Sequence, residues 1–313
     1  MTRFCTLPAE DSFHLLNATV PACLVDGLSP SIAPDPDGLV SIDFIISGDR
    51  IDAILPGGTA DSARPCLDLD GSMVWPCFVD LHTHIDKGHI WPRRRNPDGT
   101  RAGALSSTGA DRAANWNTED LRSRMNFSLQ SAYAHGTAAL RTHIDSSPPQ
   151  HKITWPVVSE IRDAWAGRID LQAVCLEPIW GYADIGFGKE IADMMVEHGG
   201  IMGAVLNIQD DTDALLDTVI GLAIDRGLEL DFHVDEMGDP EAKSFDRIAE
   251  ALIRNKFGKP VNVGHCCSLA IRPQAEIDHA LGLAVDANMR VVSLPMCNMY
   301  LQDRPEPGQP PRT

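Results

Sequence analysis

Apolar and polar positions alternate along Leu39-Val40-Ser41-Ile42-Asp43-Phe44-Ile45-Ile46, and a Ser47-Gly48-Asp49-Arg50 turn follows. The first 70 residues, rich in Pro, Gly and Asp, therefore read as a small antiparallel β unit. From Met73 onward the texture changes to short apolar runs separated by helical patterns, which predicts consecutive βα units and a parallel sheet. Strands are expected near 73–84, 137–144, 169–176, 200–207, 228–234, 260–266 and 289–295. A long loop with Arg93-Arg94-Arg95 and Asn96-Pro97-Asp98-Gly99 leads to a helix starting at Thr118, which carries Leu121, Met125 and Leu129 on one face and stops at Gly136. Further helices are expected near 154–166, 187–198, 211–226, 241–256 and 273–287. Seven such units over about 240 residues fit a (β/α)8-type TIM barrel one strand short, or an open doubly wound sheet, and the pattern leaves both open. Gly186-Phe187-Gly188 is a lone G-x-G and reads as a turn, not a nucleotide cradle.

Charge narrows the partners. With 26 Lys plus Arg against 44 Asp plus Glu, a formal net charge of -18 disfavours nucleic acid and anionic bilayers. No apolar run reaches the roughly 20 residues of a membrane span, and the opening residues carry no basic, then apolar leader, so a cytoplasmic protein without membrane contact is expected. Eight cysteines without a C-x-x-C spacing are expected to be reduced. Cys266 and Cys267, read as strand neighbours facing opposite ways, are expected to pack as small apolar side chains.

Candidate chemistry begins at Asp80-Leu81-His82-Thr83-His84. Residues two apart on a strand share a face, so His82 and His84 present both imidazoles to one point, as a single divalent metal requires. Titratable residues recur at later strand ends: His143 and Asp145, then His233, Asp235 and Glu236, then His265. In a closed barrel all strand C-termini open on one mouth, where these side chains would converge. His14, His135, His151, His198 and His279 fall at helix ends or in loops and carry no assignment.

The run from Asp68 to His84, containing Trp75-Pro76-Cys77-Phe78-Val79-Asp80-Leu81-His82-Thr83-His84, resembles the V-x-P-G-F-x-D-x-H-x-H signature of the amidohydrolase superfamily, with Cys77 at the usual Gly. Arg141-Thr142-His143-Ile144-Asp145, His233-Val234-Asp235-Glu236, Gly264-His265 and Asn298-Met299-Tyr300-Leu301-Gln302 resemble its cytosine deaminase branch. The resemblance implies a TIM barrel with part of a small β-sandwich: sandwich over 1–70, barrel over 71–304, a Pro-rich tail over 305–313. It implies one Zn or Fe ion on His82, His84 and His233, Glu236 as proton shuttle, and His265 as the residue that polarises the water or the carbon under attack. The branch's Gln that holds a pyrimidine edge is replaced by Glu177-Pro178-Ile179-Trp180, and Ile85-Asp86-Lys87-Gly88-His89 is similar to relatives acting on N-alkylated triazines. Lys87, Glu177, Trp180 and Gln302 are accordingly the substrate-binding candidates. No lysine occurs near 200–207 to bridge a second metal, and neither H-E-x-x-H nor the H-x-E with P-C-x-x-C signature is present.

The implied reaction is deamination of an amino-substituted pyrimidine, triazine or related ring, by attack of a metal-activated water and release of ammonia. A cyclic amide or N-alkyl amine hydrolase, and an inactive remnant or partner of a longer relative, are the alternatives; a homo-oligomer is left open. The resemblance also implies an Asp on an eighth strand, whereas Pro305, Pro307, Pro310 and Pro311 crowd the end of this chain. Unpaired edges are then expected on the first and last barrel strands, and three explanations compete: truncation, which is favoured, completion by a second polypeptide or oligomer, or local repair by Asp145 or Asp235.

Overall fold

The computed structural model describes residues 6–206, 208 and 211–301. The chain divides after Cys77 into two units. In the first, β1 (Ser12–Pro21), β2 (Leu39–Ser47), β3 (Arg50–Pro56) and β4 (Cys66–Asp68) form one sheet in the order β3-β2-β1-β4. Alternation places Ala18, Val20, Val40, Ile42 and Phe44 in its apolar core. Asp43 is fully buried on β2 and accepts the backbone N–H groups of Asn17, Thr59 and Ala60 at 2.7–2.9 Å. Burial alone would raise its pKa, but these donors hold the carboxyl below its ordinary value. The described strands make a single layer, so the sandwich expected from the resemblance is not seen among them. His14, read as a loop residue, lies buried within β1 with Nδ1 3.0 Å from the Asp61 carbonyl.

The second unit runs β5 (Phe78–Thr83), α1 (Arg101–Asn115), α2 (Thr118–Ala134), β6 (Thr137–Asp145), α3 (His151–Trp165), β7 (Asp170–Leu176), α4 (Ile185–Glu197), β8 (Met202–Val205), α5 (Thr212–Arg226), β9 (Leu230–Val234), α6 (Ser244–Arg254), β10 (Val261–His265), α7 (Gln274–Asp286), β11 (Met289–Val292) and α8 (Pro295–Leu301). All seven strands are parallel, in the sheets β5-β6-β7 and β8-β9-β10-β11, which the bridges Val174↔Ile201 and Pro178↔Val205 connect. Leu140 and Ile144 of β6 and Leu230 and Phe232 of β9 belong to one apolar core with Leu129 of α2, Trp155 of α3 and Phe245 of α6. The period of two turns the alternate residues the other way: Arg141, His143 and Asp145 on β6, Asp231 and His233 on β9. Charge is thus concentrated on the face opposite the helices, where Arg141 and His143 both meet Asp231, at 2.9 and 3.1 Å.

The α/β fold with parallel strands agrees with expectation, but the barrel is not closed. Among the described strands β5 pairs only with β6 and β11 only with β10, and a cleft of about 640 Å3 lined by Phe78, Leu81, His82, Val292 and Leu294 separates them. Phe78, Val79 and Leu81 are exposed along that edge. No described helix is long and apolar enough to cross a membrane.

Three sequence expectations need correction. The first barrel strand starts at Phe78 rather than near 73, and the last ends at Val292, before α8. The stretch read as one long loop contains α1. Two Gly and several Ser/Thr weaken its helical pattern, and it forms because Thr100 caps it by accepting the Gly103 N–H at 3.0 Å and because buried Asp111 anchors its far end. Arg93 donates to both oxygens of Asp111 at 2.8 Å, and Trp116 Nε1 donates at 2.8 Å. Finally, Cys266 and Cys267 are not strand neighbours: β10 ends at His265, Cys266 takes φ 53, and Cys267 opens a short 3-10 turn. Both are buried as expected, and burial pushes the Cys267 thiol up to about 12.

Candidate functional site

His82 on β5 and His84 immediately after it meet His233 of β9 at the C-terminal end of the strand set. His82 Nε2 lies 3.1 Å from His233 Nε2, which lies 3.3 Å from His84 Nε2. The register decides the approach: Gly264 on β10 is paired with His233, and a Cβ at Gly264 would stand 2.6 Å from His82 Cε1. Only a glycine leaves room for the imidazole. Replacing Gly264 by Ala is therefore expected to displace His82 and weaken metal retention by at least about tenfold, a second-layer effect read by metal content per chain after dialysis.

The arrangement of nitrogens suits a cation. His84 Nδ1 faces the His143 carbonyl at 3.2 Å, an acceptor only, so Nδ1 carries the proton and Nε2 keeps its lone pair. His233 Nδ1 is buried without a protein partner. Three Nε2 atoms meeting this closely cannot all be satisfied by shared N–H protons, yet their spacings match the roughly 3.3–3.4 Å edge of a tetrahedron with metal–nitrogen bonds of about 2.0–2.1 Å. Burial, and then the charges of neighbouring cationic groups, push His82, His84 and His233 far below the ordinary imidazole pKa, so they stay neutral. A divalent ion fits this donor set.

A fourth imidazole, His143, completes a group whose ligand atoms all lie within 4.8 Å of one another. Its Nε2 donates to Asp231 Oδ1 at 3.1 Å, which leaves Nδ1 as a buried acceptor without a partner, and its ring packs 4.0 Å from that of His82. His143 stands at a strand end in the sequence, and the alternation of Arg141, His143 and Asp145 is the signal there that it faces the same way as the other imidazoles.

Beside the imidazoles stand Glu236 and His265. Glu236 Oε2 accepts from Arg101 Nε at 3.0 Å, and its Oε1 lies 3.9 Å from His265 Nδ1. Asn298 Nδ2, on α8, donates to His265 Nδ1 at 3.1 Å, so Nε2 bears the proton and points no protein partner its way. The His265 ring lies 5.1 and 5.0 Å from those of His82 and His233. Its backbone, like that of Asp235 and Cys266, has positive φ, a costly conformation for a non-glycine residue that clusters here at the strand ends.

Lys87, whose charge acts on His84, and Glu177 both stand near Asp145. Lys87 Nζ reaches Asp145 Oδ1 at 2.6 Å, and Arg112 Nη1 reaches Asp145 Oδ2 at 2.7 Å. Burial would lower the Lys87 pKa, but the Asp145 and Asp86 carboxylates raise it. Buried Asp86 accepts the Asp145 N–H, and its pKa is raised by burial and by the Asp145 charge. Glu177 is 4% exposed, accepts from Ser147 Oγ at 2.7 Å and is pushed up to about 7 by burial, so near neutrality it offers either a donor or an acceptor. A Cβ on Gly181 would stand 2.2 Å from Glu177 Oε1, so glycine makes room for this carboxyl too. Trp180 is exposed, and Gln302 lies outside the described residues, as do Asp303 and the Pro-rich tail.

Both carboxylates suggested as substitute ligands are engaged by other groups. Asp145 is engaged by Lys87 and Arg112, while Asp235 accepts the N–H groups of Ser244 and Phe245 at 3.1 Å and pairs with Arg272. The four-imidazole group contains no carboxylate among the described residues.

No protein-family model matches the chain. The chain is 46% identical over 309 residues to a pterin deaminase from Rhizobium rhizogenes strain K84, covering 99% of itself and 70% of that protein. It is 26% identical over 261 residues to an N-isopropylammelide isopropyl amidohydrolase from Pseudomonas sp. strain ADP, covering 80% of itself and 64% of the relative. In three dimensions it resembles 5-methylcytosine deaminase from Klebsiella pneumoniae with bound phosphonocytosine, at a TM-score of 0.75 and 23% identity over 93% of this chain and 68% of that one.

Proposed function

From the premise that this chain belongs to the deaminase branch of the metal-dependent amidohydrolase superfamily, we propose that it removes the exocyclic amine of a pterin, the 2-amino-4-oxo-pteridine ring system, as ammonia. The single observation that carries the reading is the His233 Nε2 atom lying 3.1 and 3.3 Å from the Nε2 atoms of His82 and His84, beside Glu236 and His265. The 46% relative points the substrate class to pterins rather than to the cytosine or triazine rings the motifs first suggested.

His82, His84 and His233 would hold a single divalent ion, Zn or Fe. Bound there, such an ion lowers the pKa of a water toward neutrality and so supplies a nucleophile at pH 7. Glu236 would move a proton from the attacking water to the ring nitrogen next to the reacting carbon. It then carries a proton to the departing amine. His265, with Nε2–H fixed by Asn298, donates toward the oxygen added to that carbon. Lys87 and Glu177 receive the far edge of the ring, with Trp180 and Gln302 as outer contacts. The Glu177 carboxyl, a donor or an acceptor near neutrality, can donate to the ring nitrogens of that far edge, while the 2-amino and N3–H groups stay at the imidazole end.

The test is release of ammonia from pterin, cytosine and N-isopropylammelide by the purified chain loaded with Zn(II) or Fe(II). Ammonia from pterin, at a rate at least about a hundredfold above the other two, supports the reading. Isopropylamine from N-isopropylammelide instead favours an N-alkyl amine hydrolase, the activity named for the 26% relative. A chain with one metal bound and no release from pterin overturns the proposed substrate.

A further inference from the structure

Both ends of α1 reach acids on the rim of the strand set. Arg101, its first residue, donates to Glu236 Oε2 at 3.0 Å, and Arg112 donates to Asp145 Oδ2 at 2.7 Å. Eleven positions are close to three full turns, so the two side chains share a face and are spaced by roughly 16 Å of helix. Their partners belong to distant parts of the rim: Asp145 ends β6 and Glu236 follows β9, with β7 and β8 between them. A helix tied to both spans from one rim acid to the other. Between the ties, the same face carries half-buried Ala104 and Thr108 and exposed Leu105.

The two ends are held differently. At the C-terminal end Asp111 is 1% exposed and is fixed by Arg93 and Trp116. At the N-terminal end the link to the rim is the Arg101 side chain, 28% exposed and bonded to a carboxylate that the proposed chemistry needs. We infer that α1 is a lid hinged at Asp111–Trp116 and latched by Arg101 on Glu236, and that Arg101 is thereby a positioning residue for the proton shuttle. The latch holds Glu236 from one side while His265 bounds it from the other, at 3.9 Å. A flat ring entering beside Glu236 parts the latch, and closure restores the carboxylate to its place. The positioning role rests on the proposed function; the latch itself does not.

The experiment compares the metal-loaded wild type with Arg101→Met and Arg101→Lys by hydrogen exchange and by steady-state kinetics on pterin. In Arg101→Met the amides of residues 102–110 should exchange at least about tenfold faster, with α6 unchanged, and lysine should restore most of the protection. Metal content should not change, and kcat should fall about tenfold or more with KM within about threefold, because the lost contact orients a group that acts in the transition state. Unchanged exchange over 102–110 overturns the latch, and faster exchange with unchanged kcat overturns the positioning role. If the wild type does not turn over pterin, the substrate reading fails and the exchange result alone decides the latch.

Discussion

Replacing His82 and His84 together by alanine should leave less than about a tenth of the wild-type metal per chain after dialysis, because a tetrahedral site reduced to one strong nitrogen ligand cannot compete with water. Ammonia release should fall at least about a thousandfold, since without the ion no nucleophile of suitable pKa exists at neutral pH. The geometry makes the effect specific. His82 occupies space that Gly264 leaves open, and His84 is held with its lone pair inward by the His143 carbonyl. Truncating these rings removes donors without disturbing the apolar core on the other side of the strands, so circular dichroism should remain native. Elemental analysis decides the matter: metal content equal to wild type would place the site elsewhere.

Replacing Glu236 by Gln should lower kcat by about a hundredfold to ten-thousandfold while leaving KM within a few-fold and the metal in place. Gln keeps the size of the side chain and an oxygen for Arg101 to donate to, but it cannot accept and release a proton. The split separates two roles that proximity alone confuses. A shuttle loses turnover and retains metal; a ligand loses both. Metal loss in Glu236→Gln would therefore move Glu236 into the coordination set and refute its assignment as shuttle.

These two expectations draw on residues that were visible in the linear chain, and the reason is physical. Strand period brings residues two apart to one face, and parallel strands deliver their C-terminal ends to one edge. His82, His84, His233 and His265 were thus readable from position alone, and the βα rhythm located six later strands to within a few residues. What stayed hidden depended on contacts between distant segments. α1 has a weak helical pattern and exists through a cap at Thr100 and the buried Asp111 cluster, so its arginines could not be placed at the rim acids beforehand.

The sequence by itself determined the alternation that turns His143 and Asp145 away from Leu140 and Ile144, the glycine and histidine at 264 and 265, and the acidic charge balance of the chain. Tertiary structure alone decided that His82 fits against Gly264, that Asp145 and Asp235 are spent on Lys87, Arg112, Arg272 and the start of α6, and that β5 and β11 face each other across a cleft. The difference follows from range. A two-residue period is set by the stereochemistry of the backbone, whereas a partner dozens of residues away is chosen by which side chains the folded strands bring within hydrogen-bond distance.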